Sequence, residues 1–327
     1  MTGYQGSIGI VVGSSVGPGE LAATARNAEQ FGFAQVWTAE DYFFTGGVAG
    51  LAITLEATDH IKVGTGVVSA VSRHPALLAM EFATLGVVHP GRVVLGLGLG
   101  LPLWMNQMGL RPTSQVATVG AATRIIRRLL DGDEVTTEEG GFSVEGIRLA
   151  YPGPGIPIHL GVMGPKMMAL SADVADGTIL SILCSPKYVR WARSVLGANH
   201  HITAFAIFNV DDDSELARHK VRHRAAFSLK RGRSPLTDAA GITDELTEFL
   251  AAKGAGALID QMPDSWVDLM TVSGTANECI EKIRSLIEAG ADQVALFPNP
   301  GPEAPILTQR AGESILPHFQ NEGLTFS

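Results

Sequence analysis

Short apolar runs alternate with amphipathic stretches along the whole 327-residue chain. An apolar run without polar alternation marks a parallel strand covered on both faces, and apolar residues recurring every third or fourth position mark a helix. On this basis strands are predicted at Ser7–Val12, Ala34–Thr38, Ile61–Thr65 and Arg92–Leu97, then at Ile158–Gly161, Thr178–Ile182, Thr203–Asn209 and Gln293–Phe297. Between them, Pro18 stands at a plausible first helical position, with Leu21, Ala25, Ala28 and Phe31 on one face and Gly32 as the stop. The loop Ala39–Gly47 leads to a helix through Ala57, and Pro75 opens a helix with Leu78, Phe82 and Leu85 on one face. A long helix is predicted over Thr113–Leu130, with others starting near Gly164, Pro186 and Asp213. Glu139-Gly140-Gly141 divides Asp133–Leu149 into a surface hairpin. Leu236–Met270 lacks clear periodicity and is assigned to extra helices inserted before the last unit. Thr275 and Glu278 form a capping box for a helix ending at Gly290.

Eight β/α units in sequence predict an α/β chain folded as a (β/α)8 TIM barrel with insertions, one domain over residues 1–327. An open doubly wound sheet with added strands is the competing architecture. No internal repeat or linker divides the chain.

Composition narrows the partners. With 46% hydrophobic residues, 17% charged and a net charge of −9, the chain can bury a large core but offers no dense Lys/Arg cluster. Nucleic acid and anionic membrane are therefore not expected as partners. The two cysteines, Cys184 and Cys279, follow no metal or disulfide spacing, and Met1–Ser7 lacks the features of a leader. A cytoplasmic location is expected. No apolar run reaches the roughly eighteen residues of a membrane span.

In such barrels functional groups gather at the carboxyl ends of the strands. After strand two come Trp37-Thr38-Ala39-Glu40-Asp41-Tyr42-Phe43-Phe44. Two carboxylates beside aromatics place charge against an apolar wall, where a pKa is easily raised; a solvated acidic turn is the plainer alternative. After strand three, Gly64-Thr65-Gly66-Val67-Val68 leads to Ser72-Arg73-His74-Pro75. Gly66 allows close approach by a planar ligand, and His74 alone reads as a helix N-terminal residue. Gly96-Leu97-Gly98-Leu99-Gly100 after strand four has the wrong spacing for a dinucleotide fingerprint, with no helix opening at once and no acidic residue about 20 positions on. Glycine there points to close approach of backbone or ligand. After strand five, Gly161-Val162-Met163-Gly164-Pro165-Lys166 opens a helix whose free N–H groups suit a phosphate, with Lys166 adding charge. His219 and His223 have metal-pair spacing but lie among Arg218, Lys220, Arg222 and Arg224, a basic face expected to be solvated and to repel a cation. No metal site is expected.

Together these stations resemble the luciferase-like monooxygenase superfamily, especially its F420-dependent, methylenetetrahydromethanopterin reductase-like branch. The similar segments are Val36–Phe44, Lys62–Leu85, Gly91–Gly100, Pro157–Gly177 and the stretch from Ser273 to Pro298, in the family's order. The resemblance implies a non-prolyl cis peptide at Gly66–Val67 against one face of the cofactor ring, with Gly98 and Leu99 bordering the ring. It also implies Met163 beside the cofactor, and Gly164, Pro165 and Lys166 around its phosphate. Glu40 would face the ring's polar edge or the substrate, and Glu40 or Asp41 would be the acid/base or orienting residue. Phe43, Phe44 and Trp104 would roof the substrate pocket.

Departures accompany the likeness. Asp41 stands where several relatives have histidine, and Val68-Ser69-Ala70-Val71 replaces an asparagine-proline pattern. Leu101 stands where the sugar-phosphate dehydrogenase branch has a catalytic glutamate, so glucose-6-phosphate dehydrogenase activity is not expected. The implied function is hydride transfer between F420 and a small organic substrate. The alternatives are an FMN-dependent monooxygenase using reduced flavin and oxygen, and a catalytically silent flavin-binding barrel. A homodimer, and a separate flavin or F420 reductase supplying reduced cofactor, are the implied partners.

Overall fold

The computed structural model describes residues 6–321, so residues 1–5 of the expected leader-free N-terminus lie outside the described residues. Eight parallel strands form a closed barrel: β1 (Ser7–Val12), β2 (Gln35–Thr38), β3 (Lys62–Thr65), β4 (Val93–Gly98), β5 (Ile158–Gly161), β6 (Gly177–Leu180), β7 (His201–Val210) and β8 (Gln293–Pro298). Each pairs with the next, and β8 returns to β1, so Gln293 lies level with both Thr203 and Ser7. These are the strands the apolar runs predict, within two residues at each end. The open-sheet alternative is excluded by closure.

Successive side chains point alternately into the barrel and out toward the helices. Inside, Val11, Trp37, Val94, Ile179, Phe205, Ala295 and Phe297 form one buried cluster. Trp37 and Phe205 meet edge to face at 5.7 Å, and the Trp37 indole N–H donates to Gln293 Oε1 at 2.7 Å. Two such rings fit only because facing positions lack side chains: a Cβ on Gly64 would stand 2.5 Å from the Trp37 ring. Toward the N-terminal end of the strands, His159 and His201 lie 5.1 Å apart. Outside, a larger apolar shell joins the barrel to its helices.

Proline occupies the first turn of the helices Pro75–Val88, Pro165–Val174 and Pro186–Leu196, where its missing N–H costs nothing. Thr275 and Glu278 make the predicted capping box on Ala276–Glu288. The hairpin is formed by Val135–Glu139 and Phe142–Ile147.

Two features differ from the sequence pattern. A helix over Pro102–Gln107 opens two residues after Gly100, where no helix was expected to follow the glycines; six residues are too few to show periodicity. Two further helices, Ala304–Ser314 and Leu316–Asn321, follow β8, and their buried residues Leu307, Ala311, Ile315, Leu316 and Phe319 join the apolar shell. The extra helices before the last unit fall where predicted, over residues 235–270, and belong to one longer excursion from β7. It begins directly after β7 with Ser214–Leu229 and continues through Pro235–Ala240, Thr243–Lys253, Leu258–Gln261 and Asp264–Met270. It ends in a short strand, Val272–Gly274, laid parallel to the tip of β7.

No helix among the described residues is long and apolar enough to cross a membrane. Cys184 and Cys279 are free and buried.

Candidate active site

The end of β3 sets the geometry of the barrel mouth. Val63 and Gly64 pair with Val93 and Val94, after which regular pairing stops. The Thr65 hydroxyl substitutes for the ladder, donating to Gly96 O at 2.9 Å and accepting from Gly96 N at 3.0 Å. The Gly66–Val67 peptide bond is cis, and the chain rejoins β4 with Val68 opposite Leu97 and Ser69 opposite Gly98. The register has slipped by one residue, so residues 66–67 form a bulge. Glycines make room for it. A Cβ on Gly98 or Gly161 would stand 2.7 or 2.9 Å from the Val67 side chain, and one on Gly66 would stand 2.8 Å from Phe205. Close approach at Gly98 is therefore made by Val67, and Gly66 faces a ring of the barrel interior. Leu99 is half-buried beside them, and its carbonyl accepts from Ser69 Oγ at 2.8 Å.

Glu40, just past β2, is 7% exposed and carries four hydrogen bonds. Arg73 binds it through both nitrogens, Nη1 to Oε1 at 2.8 Å and Nη2 to Oε2 at 2.7 Å. The Tyr42 hydroxyl donates to Oε1 and the Gly47 N–H to Oε2, both at 2.8 Å. Gly47 starts the helix Gly47–Glu56, whose positive end faces the carboxylate. The sequence pattern suggested a raised pKa here. Burial does push that way, but Arg73, Tyr42 and the Gly47 N–H outweigh it and hold Glu40 below the usual carboxylate range. Burial raises the Tyr42 phenol to about 12, the Glu40 charge adding to the rise; its oxygen also lies 2.8 Å from Ser72 Oγ. Burial raises Glu81 as well, against the attraction of Arg73. Arg73 therefore lies within the influence of two carboxylates.

Tyr42 stacks on Phe43 at 5.6 Å and meets Trp104 edge to face at 5.8 Å. Phe43 and Phe44 are both largely exposed, and Trp104 is half-buried. Asp41 is separate from the Glu40 network. Its Oδ2 accepts from Ser14 Oγ at 2.5 Å and lies 3.9 Å from Arg224 Nη2.

At the end of β5, Gly164 is the N-cap of Pro165–Val174 with extended backbone and no side-chain cap. Nothing lies within 4 Å of where its Cβ would be. Pro165 and Lys166 are exposed; Met163 is half-buried, and its carbonyl accepts from the Tyr188 hydroxyl at 2.7 Å. An open, uncapped helix start with a lysine in its first turn is suited to a phosphate. His74, by contrast, caps its own helix by accepting from Ala76 N.

The basic face on Ser214–Leu229 is not solvated as predicted. Arg218 pairs with Asp268 and Glu278, Lys220 with Asp211 and Glu303, and Arg222 with Asp264. Arg224 turns into the barrel mouth over the Phe297 ring at 4.8 Å. His219 and His223 are exposed, and no group of three His, Cys, Asp or Glu among the described residues could hold a metal.

Sequence reasoning thus missed Arg73, Ser14 and Arg224. Helical position did not single out Arg224, because Arg218 and Arg222 lie at least as near the buried face of Ala217, Val221, Ala225 and Leu229. A separate cleft of about 210 Å³, bordered by Cys184, Leu269 and Leu286, lies outside the barrel; its Asp268 and Lys282 are already paired at 2.8 Å.

Fold and site define an α/β-barrel enzyme whose polar groups converge at one mouth. The chain belongs to the luciferase-like monooxygenase family, whose model matches residues 4–293, and is an oxidoreductase. It is 28% identical over 319 residues to the 5,10-methylenetetrahydromethanopterin reductase of Archaeoglobus fulgidus, covering 92% of this chain and 96% of that protein. It is also 28% identical to an F420-dependent glucose-6-phosphate dehydrogenase of Nakamurella multipartita, covering 93% of each. The solved coenzyme F420 dependent tetrahydromethanopterin reductase of Methanopyrus kandleri shares the fold, with a TM-score of 0.85 at 21% identity over 96% of this chain and 99% of that one.

Proposed function

We propose that the protein is an F420-dependent oxidoreductase that transfers a hydride between the deazaflavin and a small organic substrate at the barrel mouth. The observation that carries this is the juxtaposition of the Val67 bulge on its glycine floor with the open, uncapped helix start at Gly164. A flat ring and a phosphate tail require such neighbours. Relatives that cover nearly the whole chain and are named for F420 support the same cofactor.

Gly66, Val67, Gly98 and Leu99 would seat the ring, and Gly164, Pro165 and Lys166 the phosphate, with Met163 alongside. When bound, the deazaflavin supplies a hydride donor or acceptor that reacts poorly with oxygen. The chain's own groups orient the substrate, exclude water and handle charge. Glu40, saturated by four donors, is a positioning residue that fixes Arg73 and Tyr42. Asp41 is the better proton-handling residue, because among the described residues its Oδ1 accepts no hydrogen bond. Phe43, Phe44 and Trp104 would shield the substrate from water.

Fluorescence titration of the purified chain with F420 and with FMN tests this. Micromolar binding of F420 with no response to FMN is expected. Binding of FMN with oxygen-dependent turnover would instead make the protein a monooxygenase.

A further inference from the structure

Among the described residues no group accepts a hydrogen bond from Arg224, whose side chain is 30% exposed where three loops at the barrel mouth converge. Its Nε is buried and has no acceptor, and among the described residues nothing accepts a hydrogen bond from its other nitrogens. Asp41 is the nearest opposite charge, yet at 3.9 Å it is beyond hydrogen-bond reach, and its Oδ2 is engaged by Ser14. The guanidinium lies across the Phe297 ring at 4.8 Å and within 5.9 Å of Phe227. Phe297 is next to last in β8, Ser14 follows β1 and Asp41 follows β2, so the group stands over the carboxyl ends of the barrel strands.

A buried charged donor left unpaired is costly, and a folded protein keeps one where a ligand completes it. The guanidinium has five N–H donors in a planar fork matched to an oxyanion, and two flanking rings hold that plane without using the donors.

We infer that Arg224 receives an oxyanion carried by the substrate, a carboxylate or a phosphate ester, and so selects anionic substrates at this mouth. The inference deepens the proposed oxidoreductase reading and rests on it for placing the substrate there. Asp41, 3.9 Å away, tunes the site by offsetting part of its charge.

The test is calorimetric titration of the full chain, alone and loaded with F420, using benzoate, phenyl phosphate and neutral benzamide as probes. Benzoate or phenyl phosphate should bind at least about tenfold more tightly than benzamide, and whichever is preferred identifies the oxyanion. Arg224→Gln should weaken that anion by about tenfold or more while leaving F420 affinity unchanged, and Arg224→Lys should retain part of the binding. Asp41→Asn should tighten the anion severalfold, a gain that no loss of folding can imitate. Benzamide binding as well as the anions, or equal anion affinity in Arg224→Gln and the parent, would overturn the inference. So would an Arg224→Gln variant that loses F420 and keeps the anions. If the parent binds an anion through Arg224 but no F420, the oxyanion site stands and the cofactor reading fails.

Discussion

The Glu40 carboxylate illustrates how one buried charge is made tolerable. Its bidentate pairing with Arg73 and the two further donors satisfy both oxygens, so removing the charge strands a guanidinium. Glu40→Gln should lower stability by roughly 2–4 kcal/mol in urea unfolding and should also reduce turnover, because Arg73 and Tyr42 lose their anchor. A variant with parental stability would show that the network is not holding the mouth in place. Gly96 is constrained differently. A Cβ there would stand 1.7 Å from the Thr65 carbonyl oxygen, a backbone atom with no freedom to withdraw. Gly96→Ala should destabilise by on the order of 4 kcal/mol or prevent folding, as read by denaturant midpoint or soluble yield. The sequence exposed Glu40 through its position after a strand, but its partner is 33 residues away. That pairing is tertiary and left no trace in local pattern.

Among the elements, those with strong local chemistry were legible. The strands are continuous apolar runs, and the helix starts carry Pro, Ser, Asp or Thr. The helix Pro102–Gln107 was too short for a period to register, and the helices after β8 are defined by contacts with the first turns of the fold, such as Gly312 against Phe31. Arg224 was misplaced because its surroundings, Asp41 and Phe297, lie far from it along the chain. The helix Pro165–Val174 gives a clean test of the cofactor assignment. Gly164 has φ −90° and ψ 164°, an extended conformation that valine adopts readily, and the space before it is open. Gly164→Val should therefore leave the melting temperature unchanged while weakening F420 by about tenfold in fluorescence titration, a bulky group now standing where a phosphate would sit. Unchanged F420 affinity would show that the phosphate lies elsewhere.

For the whole molecule, the barrel's N-terminal end holds a proton-sensitive trio. Burial, with a smaller contribution from His201, pushes His159 down to about 3, and burial also lowers His200 and His201. In the unfolded chain these imidazoles take up protons near pH 6.5, whereas folded His159 stays neutral until about 3. The unfolded state thus binds more protons through that window, so stability is full above it and declines as pH falls. Unfolding midpoints measured between about pH 4 and 6.5 should decline, and His159→Gln should flatten the decline. At the opposite end, β7 runs on past the barrel and Val210 lies level with Gly274 on the short strand beside it. Chain leaving for this excursion and chain coming back thus stand on neighbouring rungs, roughly 5 Å apart. Such a segment is a cassette. Exchanging it, Arg224 included, would leave the closure of the barrel intact, so the groups it brings to the mouth can change while Gly66, Gly98 and Gly161 stay as they are.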